Sequence, residues 1–294
     1  MREIVLSEGE TPKTIENYLK KKFPIGYVRK VLRKNGVRIN GRRAKPGERV
    51  RGGDRIQLYI PFKETVAQAA PSGLQTKLEI VFEDDSLIVV NKPAGMAVHE
   101  GKTVAKRESL LGMLESAYGD RGIKPRLVHR LDKDTSGLLL VVKNEPTAAE
   151  LERAFKSRAV EKAYLCLVAG RLPQDAGTID FPLPGREGKP VRALTRYRVL
   201  RRFSDTTLVR VDIETGRLHQ IRLHFARLGH PVVMDDQHGD FGFNKRFRKE
   251  FGLRRQFLHA EKLKLNYAGR RREWTAPLAK DLEETLRKLP QRNS

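Results

Sequence analysis

Cysteine is almost missing from this chain. Cys166 is the only one, which excludes an internal disulfide and leaves too few thiolates for a cysteine-rich zinc or iron–sulfur site. It lies in the apolar run "AYLCLVAG", where a buried, inert thiol is expected. Long hydrophobic runs are missing too: nothing approaches the ~20 apolar residues of a membrane-spanning helix. Neither a signal-peptide core nor a lipidation signal stands at either end. A soluble, cytoplasmic protein without a membrane partner is therefore expected. Acidic residues are in the minority, 36 Asp and Glu against 59 Lys and Arg, for a formal net charge of +23. That imbalance suits a surface facing a polyanion, with nucleic acid the first candidate and an anionic membrane surface the second. Also absent are a Gly-rich loop of the Walker or Rossmann kind, a paired-cysteine zinc pattern and a Gly-flanked nucleophilic serine. In "HQIRLHFARLGH" the imidazoles of His219 and His224 stand five residues apart rather than at the i, i+4 spacing of a zinc protease, so no metal site is expected there.

What is present divides unevenly. The 294 residues suffice for one large domain and one small one. Residues 1–60 hold 16 Lys and Arg against 6 Asp and Glu, more than a third of the whole excess charge. In "TIENYLKKKFPIGYVRKVLRKNG", Ile15, Leu19 and Phe23, then Val28, Val31 and Leu32, predict two short helices, with Gly36 as the stop. "VRINGRRAKPGERVRGGDRIQLYI" predicts short strands separated by turns at Asn40-Gly41, Pro46-Gly47 and Gly52-Gly53. Residues 61–76 lose the alternation, gain Pro, Ser and Gly, and read as a linker. From residue 77 onward, strand and helix patterns alternate without regular β-α-β order. "KLEIVFEDDSLIVVNK" reads as two strands about an Asp84-Asp85 turn, "SLLGMLESAY" as a helix, "LLLVVKN" and "KAYLCLVAG" as buried strands flanking a helix at "PTAAELERAFKS", and "ALTRYRVLRRFSDTTLVRVDIET" as a hairpin. The expected fold class is α+β, with a mixed, mostly antiparallel sheet.

The segment "LVHRLDKDTSGLLLVVKN" sets His129, Arg130, Asp132, Lys133 and Asp134 in a polar loop before a strand apolar enough to be core. A loop anchored on a rigid strand is a common place for catalytic side chains. Taken alone, it reads equally well as a salt-bridged turn in which Asp132 or Asp134 caps the next element.

Its string "HRLDKDTSG" resembles the most diagnostic motif of the RluA family of pseudouridine synthases. Other strings match that family in order: "EDDSLIVVNKPAGMAVH", "EKAYLCLVAG", "ETGRLHQIRLHFARLGHPVVMDDQHGD" and "FLHAEKLKL". The resemblance implies that Asp132 is the catalytic carboxylate, Tyr164 the active-site tyrosine and Arg222 its arginine partner. It also implies that Arg130 enters the space vacated by a flipped uridine. "DDQHGDFGFNKRF" and "RRQFLHA" are most similar to the branch acting on 23S ribosomal RNA. Residues 1–60 resemble an S4 RNA-binding domain, a small α/β module. The resemblance places RNA contacts at Arg29, Lys30, Arg33 and Lys34 on the second helix, backed by Arg38, Arg42 and Arg43.

The implied reaction moves the ribose C1′ from N1 to C5 of uracil. Atoms are neither gained nor lost, so no cofactor is expected. A carboxylate suits it, either adding to C1′ or stabilising cationic or glycal-like character there. Arg222 is expected to offset the cost of keeping Asp132 ionised in a desolvated pocket. Leu218, Ile221, Phe225 and Leu228 recur at helical spacing and predict the buried face of its helix, with Arg222 off that line. For Tyr164, stacking on the base is the expected role, since a phenol with pKa near ~10 is a weak base at neutral pH. His129 and Lys133 read either as phosphate contacts or as loop support. A monomer acting on RNA is expected. The rival readings are a synthase acting on transfer RNA and a non-catalytic ribosome-assembly factor that only binds RNA.

Overall fold

The computed structural model describes all residues except 1, 10, 21, 24–27, 29–30, 33, 46, 60–77, 102–103, 186–187 and 291–294. The proposed linker at residues 61–76 and the side chains of Arg29, Lys30 and Arg33 lie outside the described residues. The chain divides into two compact units, residues 1–77 and 78–294.

In the first unit, strands β1 (Arg2–Val5), β3 (Val37–Ile39), β4 (Arg42–Arg43) and β6 (Arg55–Leu58) form a sheet in the order β1-β6-β3-β4. A second pair joins β2 (Lys13–Thr14) to β5 (Arg49–Val50), with helix α1 (Ile15–Lys20) between them in sequence. Ile15, Leu19, Val28, Val31 and Ile56 are buried in one core, as the helical spacing predicts. Asn40 and Gly41 both take positive φ, 49° and 79°, which gives the tight hairpin turn between β3 and β4. The second helix stops differently from the expectation. Asn35, at φ 53°, supplies the left-handed residue. Its N–H donates to the Leu32 carbonyl and that of Gly36 to the Val31 carbonyl, the paired bonds of a Schellman cap. Asparagine tolerates this conformation almost as glycine does, so Gly36 is displaced to the position after the cap.

The second unit is α+β, built on a ten-stranded sheet. It begins with β7 (Glu79–Glu83), β8 (Leu87–Lys92), helix α2 (Leu110–Tyr118), β9 (Arg126–Leu127), β10 (Ser136–Val142), α3 (Glu145–Lys156) and β11 (Glu161–Ala169). There follow β12 (Ala176–Ile179), the small pair β13 (Leu183–Pro184) and β14 (Pro190–Val191), then β15 (Thr195–Arg202) and β16 (Thr206–Ile213). Helices α4 (Gln220–Arg227) and α5 (Phe241–Phe251), the hairpin β17 (Leu258–Tyr267) and β18 (Arg270–Thr275), and α6 (Lys280–Lys288) complete it. The main path runs β12-β15-β16-β11-β17-β10-β8-β7. Among the described pairings, only β10 with β17 is parallel.

Both faces of the centre are covered, which explains the unbroken apolar run of β10. Leu139 and Val141 pack on one side with α2 and α4, while Leu138, Leu140 and Val142 pack on the other with α3. The parallel contact depends on a glycine. Gly137 has φ 112°, and a Cβ there would stand 2.2 Å from the Ala260 carbonyl oxygen. The last residue of "HRLDKDTSG" is thus required by a close backbone approach at the root of the Asp132 loop.

Candidate active site

Three distant parts of the sequence meet at the β10–β17–β11 centre of the sheet. Asp132 comes from the loop before β10, Tyr164 from β11 and Arg222 from α4. They line one pocket of about 570 Å³ together with Arg130, His219 and Gln220. A register shift in the β11–β17 pairing falls between Ala163 and Tyr164. The extra residue is Glu261 on β17, and Tyr164 keeps the alternation of β11, on the same face as Cys166 and Val168.

The Arg222 guanidinium is the hub. Its Nη1 donates to Asp132 Oδ2 at 3.0 Å, while its Nε and Nη2 donate to the two carboxylate oxygens of Asp235, both at 2.7 Å. Asp235 Oδ1 also accepts from the backbone N–H groups of Gln237 and His238. Burial pushes the Asp235 carboxyl up, but Arg222 and those two N–H groups outweigh it, and its pKa lies below the usual carboxylate value. Fixed by a bidentate fork on one side, the arginine presents its remaining edge to Asp132. The array is one planar cation hydrogen-bonded to two carboxylates, one sealed and one facing the pocket, with exposed Asp236 3.6 Å from it.

α4 is held by polar side chains. Buried Gln220 accepts from Thr215 Oγ1 at 2.7 Å and donates to the Leu194 carbonyl at 2.9 Å. His224 bridges Thr195 and the Phe181 carbonyl, each at 2.9 Å. This corrects the expected apolar face. Ile221 and Phe225 are buried, but the helix covers only residues 220–227, and Leu218 and Leu228, just outside it, are 58% and 37% exposed. Arg222, off the Ile221–Phe225 line, is itself only 3% exposed, because Asp235 takes it into the interior.

The Asp132 loop is braced from below. Lys92 is fully buried, and its Nζ donates to the carbonyls of Pro93, Met96 and Lys133, each at 2.9 Å. Burial drives its pKa down to about 7, against the opposing pull of the Asp134 carboxylate. His129 stacks on Phe155 with centroids 4.7 Å apart, and its Nε2 accepts the Leu140 N–H at 2.8 Å. It therefore supports the loop on the sheet face opposite the pocket and touches no candidate substrate position. Burial pushes the imidazole down to about 3, so it is neutral at physiological pH.

That value carries a pH prediction. The unfolded chain takes up the His129 proton near 6.5 and the folded one only near 3, so stability contributed by the neutral ring is present above pH 6.5 and lost as pH falls toward 3. A His129→Gln variant, whose amide oxygen can still accept from Leu140, is expected to show a shallower acid-side decline in melting temperature. Superimposable profiles between pH 6.5 and 3 would refute the assignment.

Comparison with known proteins places this geometry. Residues 86–227 match the family described as RNA pseudouridylate synthase, and residues 18–56 match the S4 domain. The ribosomal large subunit pseudouridine synthase C of Vibrio cholerae is 34% identical over 98% of this chain and 96% of its own length. The chain belongs to the RNA pseudouridylate synthase family. The protein of the same name from Escherichia coli K12 is 34% identical over 97% of this chain and 96% of its own. Among solved structures, human RNA pseudouridylate synthase domain containing 4 superposes with a TM-score of 0.62 at 25% identity, covering 73% of this chain and 95% of that one. This synthase is thus an isomerase of uridine in RNA, carrying an S4 domain ahead of its catalytic fold.

Of the residues singled out in the sequence of the synthase, Asp132, Tyr164, Arg222 and Arg130 share the pocket. Arg130 is exposed there and has no side-chain partner among the described residues. Lys34, Arg38, Arg42 and Arg43 are exposed on the first unit. Sequence reasoning missed Asp235, Lys92 and His219 as parts of the site. His219 Nε2 stands 3.8 Å from Asp132 Oδ1, and its Nδ1 lies 3.0 Å from His238 Nε2. Asp235 lies in the same sequence stretch as Arg222, but nothing in a string shows that its carboxylate folds back onto an arginine thirteen residues earlier.

Proposed function

We propose that this synthase isomerises uridines of the large-subunit ribosomal RNA, with Asp132 as the catalytic carboxylate. The observation that carries the catalytic reading is the Asp132–Arg222–Asp235 array opening on the Tyr164 pocket. Asp132 meets C1′ as the N1–C1′ bond breaks, the uracil turns, and C5 joins C1′. The C5 proton then leaves, and N1 gains one. Arg222 holds Asp132 in orientation through its Nη1 hydrogen bond. Burial, and then the Asp132 charge, push the Tyr164 phenol above its ordinary pKa, which favours the ring as a stacking surface over the hydroxyl as a base. Exposed Arg130 takes the place of the extruded uridine, whose unstacking costs a few kcal/mol.

The ribosomal target is supported by the curated relatives, named for the large ribosomal subunit. In the S4 unit, Arg38 and Arg43 face one another across β3 and β4. Like charges directly opposite in a sheet are unfavourable unless an anion compensates them. We assign residues 1–60 to RNA anchoring, 61–76 to a linker and 77–294 to catalysis, and place the protein in the cytoplasm. Pseudouridine mapping in cells lacking the protein tests the target. Sites should vanish from 23S RNA and return with the intact gene, whereas loss confined to transfer RNA would overturn the reading. Removing residues 1–60 should weaken RNA binding and lower its log–log salt slope by roughly 0.7 to 0.9 per lost phosphate contact. An unchanged slope would remove the anchoring role.

A further inference from the structure

A second groove, of about 410 Å³, opens on the far side of the Arg222 hub. It is lined by Phe241, Lys245, Arg248, Arg254 and the two carboxylates Asp134 and Asp236. Asp235 also faces it. Because Asp235 grips the same guanidinium that reaches Asp132, the groove begins one arginine side chain away from the catalytic carboxylate.

Its outer wall is written in α5. Phe243, Phe247 and Phe251, at i, i+4 and i+8, pack that helix inward against the sheet. Phe241, Lys245 and Arg248, at i, i+4 and i+7, make a different stripe that faces out. Phe241 is 85% exposed, more than any other large hydrophobic side chain among the described residues. The side chains of Lys245, Arg248 and Arg254 have no ion-pair, hydrogen-bond or ring partner among the described residues. Their neighbours are engaged. Arg246 lies over the Phe243 ring, and Arg255 is bound to Asp281 at 2.6 and 2.8 Å. Of the acidic groups, Asp235 is neutralised by Arg222, Asp236 stands 3.6 Å from the same guanidinium, and Asp134 lies within Coulombic reach of buried Lys92. Three uncommitted cations around one bare aromatic ring is the composition of a single-stranded nucleic-acid platform. The ring offers a stacking face to any base, and the cations follow the backbone.

We propose that this groove is a subsite for a nucleotide flanking the target uridine in single-stranded RNA, with its base stacked on Phe241 and its phosphodiester held by Lys245, Arg248 and Arg254. It fixes the path of the strand beside the pocket and so adds register to a site whose own contacts read a single base. The subsite does not depend on which RNA is modified.

The test uses the full-length protein and single-stranded RNAs of about ten nucleotides. Each carries one central uridine and 2-aminopurine on one side of it or the other. With the unaltered protein, one of the two probes should be quenched on binding. Phe241→Ala should abolish that quench and weaken Kd by roughly 5- to 150-fold, the range measured for loss of one aromatic–base stack, while Phe241→Tyr retains both. Lys245→Gln with Arg248→Gln should lower the log–log salt slope by roughly 0.7 per lost contact. Because Phe241 is exposed, its alanine variant should melt as the parent does, so a binding loss cannot be ascribed to unfolding. A Kd for Phe241→Ala within about twofold of the parent overturns the proposal. So does weaker binding with the quench intact. A Phe241→Trp indole already shielded from acrylamide without RNA would show that protein covers the ring, and would overturn it as well.

Discussion

Asp132→Asn is expected to abolish turnover while leaving the fold and RNA affinity in place. The amide oxygen can still accept from Arg222 Nη1, 3.0 Å away in the parent, so the loop keeps its principal tether. What disappears is the negative charge that must meet C1′ as its bond to N1 breaks, and an amide neither adds to that carbon nor stabilises positive character there. Single-turnover rates should fall at least about 10³-fold, with Kd for RNA changed less than about threefold. The neighbouring Asp134→Asn is the control. Asp134 holds Arg255 through its backbone carbonyl, which the substitution leaves untouched. Its carboxylate acts at a distance on Lys92 and lines the second groove, not the catalytic pocket. A loss of less than about tenfold is expected for it. Equal and complete losses from both variants would mean that the carboxylate has been misassigned.

Asp235→Asn is expected to damage stability and catalysis together, although Asp235 does not face the pocket. It is 2% exposed, and both its oxygens are committed to Arg222. Putting an amide NH₂ against a guanidinium leaves a buried cation half paired, a change that costs about 3–5 kcal/mol when one partner of a buried pair is removed. The array linking Asp235, Arg222 and Asp132 would no longer be aimed, and kcat should fall by about 10²-fold with a smaller effect on KM. Acid melting curves separate orientation from general instability. The folded Asp235 has a pKa below the unfolded 3.8, so its contribution is present above that pH and is lost as the pH falls further. The variant should lack this part of the acid decline. Parental kcat in a protein that has lost several degrees of melting temperature would show that Asp235 only holds the fold. Unchanged melting would exclude the buried pair altogether.

The sequence by itself determined the elements and the chemistry. Alternation and helical spacing are local consequences of burial on one face or two, so the β7–β8 hairpin, α2, the β10–α3–β11 run and the β15–β16 hairpin are legible as patterns. "HRLDKDTSG" points to Asp132 through its resemblance to the family motif, which can be read from a string because its residues are contiguous in the chain. Tertiary structure decided everything that depends on residues distant in sequence. β17, far downstream, inserts between β10 and β11 and pairs in parallel with the first, which no local pattern encodes. Leu218 and Leu228 keep the helical period yet remain in water, because period counts residues and not where a helix ends. The helical pattern sets Arg222 off the apolar line but does not show its partner, since a charge enters the interior only when a counter-charge folds onto it, and Asp235 is that partner. Lys92 likewise reads as one more surface lysine until two carbonyls of the turn that follows it and one from the distant Asp132 loop converge on its ammonium group. Hydrophobic periodicity is written along the chain. The pairing of buried charges is written only in space.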